Sequence, residues 1–182
     1  MKTETVIHTL TNEVTHVLNE IDAASLDTAA DLLLNAENIF IQGNGRSGLV
    51  GKMAAMRLMH SGYRTHVIGE TTTPNFTEND LLIVLSGSGK GSSLDQMISK
   101  VKNIGGRTLL VTASDDPGVT SQFDASIFIK ASTKHNEIET IQPLGNQFDQ
   151  AMHIVLDALV ISLNIKTGKT NKELKARHFN LE

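Results

Sequence analysis

Five short apolar runs divide the sequence, and turn-prone loops separate them. Each run is rich in β-branched residues or leucine and is short enough to be a strand. The runs are Asn38–Gln42, Thr65–Ile68, Asp80–Ser86, Arg107–Thr112 and the weaker Ala125–Lys130. Segments with helical spacing of apolar side chains, such as Ser47–His60 and Ser92–Ile104, lie between most of them. This alternation predicts βαβ units and a parallel sheet that is buried on both faces.

Further helical patterns lie on either side of this alternating core. Two helices precede the first strand, over about 6–21 and 26–34, and Ser25 is the expected N-cap of the second. A long helix over about 146–165 follows the last strand, and a polar tail ends the chain. We expect one domain with three parts: N-terminal helices over 1–36, an α/β core over 37–166 and a tail over 167–182 that reaches the site.

Composition narrows the function classes. The chain has 182 residues with 20 acidic and 16 basic side chains, and its net charge of −4 argues against sequence-independent nucleic-acid binding. It has no cysteine, which excludes disulfide scaffolds, thiolate metal sites and thiol catalysis. No uninterrupted apolar run approaches the ~18–20 residues of a membrane span, and the first residues lack the apolar stretch of a secretory signal. We expect a soluble, cytoplasmic protein that binds neither nucleic acid nor membrane.

The loop after the first strand is the first candidate anion site. Gly43–Gly48 reads Gly-Asn-Gly-Arg-Ser-Gly and matches the G-x-G-x-x-G dinucleotide fingerprint, and Glu70 stands where that fingerprint expects an acid. A single phosphate would suit this loop as well as a pyrophosphate, because unpaired N–H groups at a helix N-terminus bind any anion. A tight strand–helix turn without a ligand is the third interpretation.

The loop after the third strand is the second candidate anion site. It combines hydroxyl donors, small residues, one cation and a helix N-terminus, which are the parts of a phosphate cradle. Its residues are Ser86, Gly87, Ser88, Gly89, Lys90, Gly91, Ser92 and Ser93. The spacing of a Walker A loop is missing. A flexible Gly/Ser turn is the alternative interpretation.

We expect the two loops to open onto one crevice. In a flavodoxin-like strand order, 2-1-3-4-5, strands one and three are neighbours at the topological switch point, and ligands bind beyond their carboxyl ends. A dinucleotide would not need the second cradle, so a small phosphorylated substrate held between both loops explains more of the sequence. A nicotinamide enzyme is the competing hypothesis, motivated by the first loop and Glu70.

Six motifs follow one another along the chain: Gly43–Gly48, Ala55–His60, Gly69–Pro74, Ser86–Gly89, Gln142–Gly145 and Arg177–Glu182. Together they resemble the 6-phospho-3-hexuloisomerase family of the sugar isomerase (SIS) domain superfamily. The resemblance implies a three-layer α/β/α sandwich with a five-stranded parallel sheet, a site without metal or cofactor, and a homo-oligomer, commonly a tetramer. It also implies interconversion of 3-hexulose 6-phosphate and fructose 6-phosphate in the ribulose monophosphate pathway of formaldehyde fixation.

Two positions depart from the family pattern. The family usually has a glutamate, assigned as the catalytic base, soon after the Pro-x-Gly turn, and this chain has Asp149 there. The shorter carboxylate reaches about one methylene less, which can exceed the ~0.5 Å tolerance of a preorganised site. The Ser-Gly-Ser-Gly loop commonly continues with Glu-Thr in the family, whereas here it continues with Lys90 and Gly91, a change that could signal a different substrate.

The implied reaction takes a proton from C2 and returns it at C3 through a 2,3-enediol, and one base can do both. Asp149 is the candidate base, and electrostatic stabilisation of a helix N-terminus is its alternative role. Thr72 is a candidate donor to the enediolate oxygen. His178 is the candidate for sugar ring opening, supplied by a neighbouring subunit, and packing of the tail is its alternative role.

The remaining site residues would bind the phosphate. Ser47 and the loop over 86–91 are expected to hold it, while Arg46 either pairs with it or forms a structural salt bridge. His60, at the end of a helix, suits a structural role there. A non-catalytic phosphosugar sensor on the same fold is the alternative to an isomerase, and the aspartate at position 149 motivates it.

Overall fold

The structure is a computed structural model, and it describes residues 2–134 and 138–181. Its centre is a sheet of five parallel strands in the order β2-β1-β3-β4-β5. The strands are β1 (Ile39–Gly43), β2 (Thr65–Val67), β3 (Leu81–Leu85), β4 (Arg107–Thr112) and β5 (Ala125–Phe128). The predicted flavodoxin-like order is confirmed, and every predicted strand overlaps an observed one.

Helices cover both faces of the sheet. They are α1 (Thr3–Asn19), α2 (Ala23–Asn35), α3 (Gly45–His60), α4 (Ser92–Ile104), α5 (Pro117–Thr120), α6 (Asn146–Lys166) and α7 (Asn171–Ala176). Side chains of α1, α2, α3 and α6 pack on one face, around Ile41 and Ile83. Side chains of α4 and α5 pack on the other, around Phe40 and Val84. The predicted three-layer α/β/α sandwich is therefore confirmed.

The central strand explains why the sequence is most continuously apolar over 81–85. Successive side chains of a strand point to opposite faces, and both faces of this sheet are covered. Leu81, Ile83 and Leu85 lie in one core cluster, while Leu82 and Val84 lie in the other. All five are buried, so β3 has no position at which a polar side chain would meet water.

Helix α6 is the largest helical contribution to the core. With the 3-10 turn at Pro143–Gly145 it is long and apolar enough to cross a membrane by length and composition. Its side chains pack against the sheet and against α1, α2 and α3, and Ala151, Met152 and Leu163 are fully buried. It therefore packs as the core helix of a sandwich.

Two details at helix ends differ from the sequence prediction. Ser25 is not the N-cap of α2, because the carboxylate of Asp22 caps it by accepting from the N–H groups of Ala24 and Ser25. The polar tail is also partly helical. Thr170 and Glu173 form a reciprocal capping box that begins α7.

Candidate active site

A cleft of about 560 Å³ opens at the carboxyl ends of β1 and β3. Its walls are the start of α3, the loop after β3 with the start of α4, and the turn before α6. The crevice expected at the switch point is therefore present. Of the residues predicted to form the site, it is lined by Arg46, Ser47, Ser86, Gly87, Ser88, Lys90, Gly91 and Asp149. Three others, Thr72, Gly89 and His178, are not among its lining residues.

The helices that begin at the cleft lack side-chain caps. Asn44, Gly91 and Gly145 stand at the N-cap positions of α3, α4 and α6, and none gives a side-chain cap hydrogen bond. Among the other helices, side chains cap α2, α5 and α7, whereas α1 has no side-chain cap. The first N–H groups of a helix have no partner within the helix, and they carry a partial positive charge. Three such ends around one cleft make it suited to an anion.

Close packing between strand and helix explains two glycines of the dinucleotide-like motif. A Cβ at Gly48 would lie 2.5 Å from the carbonyl oxygen of Gly43, and a Cβ at Gly43 would lie 2.9 Å from the backbone nitrogen of Gly48. Glu70, the acid that the fingerprint requires, is exposed and lies 3.5 Å from Lys52 Nζ. It does not line the cleft. The two glycines are therefore accounted for by a tight turn between β1 and α3 at the cleft.

The loop after β3 is held in place by its own hydrogen bonds. Ser86 Oγ accepts from the N–H of Gly89 at 3.1 Å, and the carbonyl oxygen of Gly87 accepts from Thr112 Oγ1 at 3.1 Å. Gly89 has φ 64°, and a Cβ there would lie 2.5 Å from Val119 Cγ1. Gly89 therefore shapes the loop from behind, against α5, and its predicted contact with phosphate is not supported by its position.

Lys90 brings a cation to the cleft, but its ammonium group has a partner. Lys90 Nζ lies 2.9 Å from Asp116 Oδ2, and both side chains are substantially exposed. The hydrogen bond to Lys90 is the main reason that the pKa of Asp116 is lowered. Exposed ion pairs are weak because water screens them. A phosphate in the cleft can therefore compete for this cation.

Asp149 is the one acid that lines the cleft in the described part of the chain. It lies in the first turn of α6, and only 14% of its side chain is exposed. Ser47 Oγ donates to Asp149 Oδ1 at 3.3 Å, and Arg46 Nε lies 2.8 Å from Asp149 Oδ2. Burial raises the pKa of Asp149 above its ordinary value, against the opposing effects of Arg46 and Ser47.

The turn before α6 positions Arg46 as well. Arg46 Nη2 donates to the carbonyl oxygen of Leu144 at 2.7 Å, so its guanidinium bridges the turn and Asp149. Leu144 has φ 57°, a left-handed conformation that costs a leucine roughly 1–2 kcal/mol. Of the two roles that the sequence left open for Arg46, the structure shows the salt bridge.

Thr72 lies away from the cleft. It is exposed in the segment after β2, which is an edge strand of the sheet. That segment runs on to Phe76, whose ring packs 5.0 Å from the ring of Phe40 on the α4 side of the sheet. Its role as a donor to the enediolate stays a prediction without support from the geometry of one subunit.

His178 lies in a second groove, of about 390 Å³, between the ends of α3, α6 and α7. Its ring stacks on that of His60 with centroids 5.2 Å apart. Burial, followed by the charges of His178 and Arg57, lowers the pKa of His60. Within one subunit His178 therefore packs the tail, and a catalytic role requires that a neighbouring subunit supply it.

Several residues lining the cleft were not singled out from the sequence. Thr133 and Lys134 reach it from the irregular stretch after β5. Residues 135–137 of that stretch, including His135, lie outside the described residues. The carboxyl end of β5 points to the same edge as β1 and β3, and this placement is the signal that could have identified Lys134 as a second cation.

The described residues, 2–134 and 138–181, contain no group of three or more His, Asp or Glu side chains placed to hold a metal ion. The chemistry available in the cleft is therefore that of a carboxylate, a guanidinium, hydroxyl groups, lysines and backbone N–H donors. Such a set can bind a phosphate and move a proton next to a carbonyl group.

Known proteins are similar to this chain in sequence and in fold. The profile of the SIS domain matches residues 32–162. A 3-hexulose-6-phosphate isomerase of Bacillus subtilis is 36% identical over 100% of both chains. A solved Methanococcus jannaschii protein, with an inferred function of 3-hexulose-6-phosphate isomerase, has a TM-score of 0.84 at 31% identity and covers 98% of this chain and 99% of its own.

A more distant structure shares the fold alone. The NanR protein of Vibrio vulnificus, solved with ManNAc-6P, has a TM-score of 0.75 at 17% identity, over 96% of this chain and 66% of that one. The SIS profile spans the strands, the cleft loops and most of α6, and the Bacillus relative matches from end to end. The chain therefore belongs to the SIS domain family.

Proposed function

We propose that the chain is a phosphosugar isomerase that interconverts 3-hexulose 6-phosphate and fructose 6-phosphate through an enediolate. One observation carries the proposal: Asp149, a mostly buried carboxylate with a raised pKa, stands in a cleft onto which three helices without side-chain caps open. The names of the relatives support this choice of substrate.

The phosphate is proposed to bind where α3 and α4 begin. Ser47, the loop over 86–91 and the free N–H groups of both helices supply donors there. Gly89 shapes this loop, while Ser86, Ser88, Lys90 and Gly91 line the cleft. Lys90 would exchange its exposed partner Asp116 for the phosphate, and Lys134 faces the same cleft.

Asp149 is proposed to be the base that moves the proton between C2 and C3. A base must be ionised to act, and a raised pKa brings its basicity closer to that required near neutral pH. Arg46 limits how far the pKa of Asp149 rises, because its positive charge favours the ionised form of the carboxylate. Turnover is therefore expected to fall as pH drops through the pKa of Asp149.

The rest of the reaction needs only donors and a ring-opening group. Backbone N–H groups of the cleft would stabilise the enediolate oxygen, and no metal or cofactor is required since only protons move. A 3-keto sugar phosphate cannot close a five-membered ring, whereas fructose 6-phosphate can, so the reverse reaction needs ring opening. His178 of a neighbouring subunit is our candidate for this step.

We propose a homo-oligomer, a tetramer, as the form that completes the site. Leu49, Met53 and Met56 are exposed on one side of α3 at helical spacing, an apolar stripe of the kind that a second copy can cover. A location in the cytoplasm and a place in the ribulose monophosphate pathway belong to the same proposal.

A non-catalytic phosphosugar sensor is the second candidate. The ion pair between Asp149 and Arg46 favours it, because an aspartate already paired with a guanidinium can be a purely structural anchor. An isomerase of another phosphosugar is a third form of the proposal, for which the unusual Lys90 is the motive.

Conversion assays on a panel of phosphosugars test the proposal. The chain is incubated with fructose 6-phosphate, arabinose 5-phosphate or glucosamine 6-phosphate, with EDTA and without nucleotide, and products are followed by ¹³C NMR. We expect conversion of fructose 6-phosphate only. Binding by calorimetry without conversion of any sugar would favour the sensor, and neither binding nor conversion would reject both candidates.

A further inference from the structure

The turn that begins α6 depends on contacts outside itself. Leu144 is the one non-glycine residue with positive φ in the part of the chain described, and 78% of it is exposed, so its own side chain does little to hold it. Its carbonyl oxygen accepts from Arg46 Nη2 at 2.7 Å. The position of that carbonyl group therefore decides where the Arg46 guanidinium stands beside Asp149.

A carboxylate from α1 holds the segment immediately before this turn. Glu13 Oε1 accepts from the N–H of Ile141 at 3.0 Å, and Glu13 Oε2 accepts from Thr140 Oγ1 and from Gln142 Nε2, the latter at 2.9 Å. Thr140 Oγ1 in turn accepts from the N–H of Gln142 at 3.0 Å. Both oxygens of Glu13 are therefore used to fix three consecutive residues.

The hydrogen bonds of Glu13 fix a segment that has no regular secondary structure of its own. Residues 138–142 belong to no helix or strand, so no regular backbone pattern fixes them. Gln142 is only 2% exposed, and it directly precedes the 3-10 turn. Partial burial acts to raise the pKa of Glu13, but the hydrogen bonds from Thr140, Gln142 and Ile141 outweigh it and lower the pKa. Glu13 is therefore a charged anchor at neutral pH.

We propose that Glu13 is a positioning residue for the reaction: by fixing residues 140–142 it fixes the Leu144 carbonyl group, and through Arg46 it sets the charge beside Asp149. The inference rests on the proposed function, in which Asp149 is the base. Glu13 itself lies on α1 and does not line the cleft.

The proposal fixes the sign of the effect. Asp149 is faced by Arg46 and Ser47 of α3, while Lys90 and Lys134 line the same cleft from the loops after β3 and β5. Arg46 is the cation in direct contact, and its charge favours ionised Asp149. A looser turn releases Arg46, so the pKa of Asp149 rises and the acid limb of the kcat profile moves to higher pH.

The test compares Glu13→Gln and Thr140→Val with the control Glu4→Gln. Glu4 lies on the same helix and is exposed, and within residues 2–134 and 138–181 no side-chain hydrogen bond or ion pair is found for it. Two readouts are used: the ionisation of Asp149 by ¹³C NMR of labelled carboxyl groups, which needs no activity, and kcat and KM for fructose 6-phosphate against pH. Thermal unfolding reports whether each variant folds, and Thr140→Val removes a single donor should Glu13→Gln not fold.

We expect Glu13→Gln to raise the pKa of Asp149, to lower kcat by roughly ten- to a hundredfold through misplacement of the base, and to leave KM within about threefold. Thr140→Val should raise the pKa of Asp149 and lower kcat by smaller amounts than Glu13→Gln does. Glu4→Gln should match the wild type. A folded Glu13→Gln whose Asp149 titrates as in the wild type would overturn the proposal. A wild type that converts no fructose 6-phosphate would overturn the proposed function, while the NMR titration would still judge Glu13.

Discussion

The two edges of the sheet use aspartate carboxylates in opposite ways. At the edge where the strands begin, Asp80 and Asp124 accept several hydrogen bonds, from backbone N–H groups, threonine hydroxyls, the side-chain amide of Asn38 and the guanidinium of Arg107. At the edge where the strands end, Asp149 has one guanidinium and one hydroxyl group as partners, and it faces an open cleft. The residue type is the same, but only the second environment leaves capacity for a substrate.

Asp80 is a carboxylate whose two oxygens are both fully used in hydrogen bonds. It is 1% exposed and accepts from the backbone N–H and the side-chain amide of Asn38, and from the backbone N–H and hydroxyl group of Thr77. These bonds tie the residues before β1 and β3 together. No oxygen of this carboxylate is left for chemistry, so its role is structural.

The pKa values separate the edges in the same way. Partial burial acts to raise the pKa of Asp124, but hydrogen bonds from Thr108 and Arg107 outweigh it, and the pKa falls below its ordinary value. For Asp149 burial outweighs Arg46 and Ser47, and the pKa is raised. Asp80 and Asp124 have their hydrogen bonds filled by the protein, whereas Asp149 has few partners and lies beside helices without side-chain caps. Such a carboxylate is a candidate for contact with a ligand.

The largest expected effect belongs to Asp149→Asn. Removing the base should lower kcat on fructose 6-phosphate by about 10²–10⁴-fold, because an amide cannot accept the proton. Calorimetric binding of the sugar phosphate should persist, and the free energy of unfolding should change little. Asp149→Glu, which restores the family residue, is the matched control and should keep turnover. Equal kcat values for Asp149→Asn and the wild type would exclude Asp149 as the base.

Asp80→Asn should have the opposite effects: it should lower the stability of the fold and leave the site unchanged. An amide in place of the carboxylate leaves a partly buried N–H group of Asn38 or Thr77 without an acceptor, which costs about 2 kcal/mol of unfolding free energy. Urea denaturation at pH 7 measures this loss, while the folded variant should bind phosphosugar as the wild type does. A variant with unchanged stability but lost activity would remove the contrast between the two edges.

Lys90→Met should have an intermediate effect, and it should act on binding. If Lys90 exchanges Asp116 for the substrate phosphate, affinity for fructose 6-phosphate should fall about tenfold, in line with the loss of one charged hydrogen bond. Stability should hardly change, because the pair with Asp116 is exposed. Unaltered affinity in calorimetry would place the phosphate away from the start of α4.

The smallest expected effect is the pH dependence of Asp124→Asn. Because the folded-state pKa of Asp124 is lowered, its ionised form stabilises the fold above the unfolded-state pKa near 4, and this contribution is lost as pH falls through the lower folded-state pKa. The wild type should be more stable than the variant by about 1 kcal/mol at pH 7, since the site is partly exposed. The difference should shrink toward pH 3, and a constant difference in urea denaturation would contradict this.

The sheet and the location of the cleft could be predicted because they follow from local patterns. Apolar runs mark the strands, and the strand order brings the loops after β1 and β3 together whatever their side chains do. The alternation of strands with helices along the chain also accounts for the three layers of the fold. The capping box of α7 was equally readable, since Thr170 and Glu173 have the required spacing, although only a polar tail was expected there.

The charges around Asp149 could not be predicted, because they join distant parts of the chain. Arg46 meets residues about a hundred positions away, and Glu13 meets residues still further along the chain. Neither spacing leaves a periodic signal. The position of Thr72 could not be predicted for a related reason: a motif shows which residues are present, but the edge position of β2 decides where the segment after it runs.

We propose that Asp149, at the edge of the sheet where the strands end, moves a proton between C2 and C3 of a sugar phosphate. The most direct measurement is NMR of fructose 6-phosphate incubated with the wild type in deuterated water and EDTA. We expect deuterium at C3 of fructose 6-phosphate, with an exchange rate that falls as pH drops through the pKa of Asp149, and loss of exchange in Asp149→Asn. Bound fructose 6-phosphate with no deuterium at C3 would contradict it.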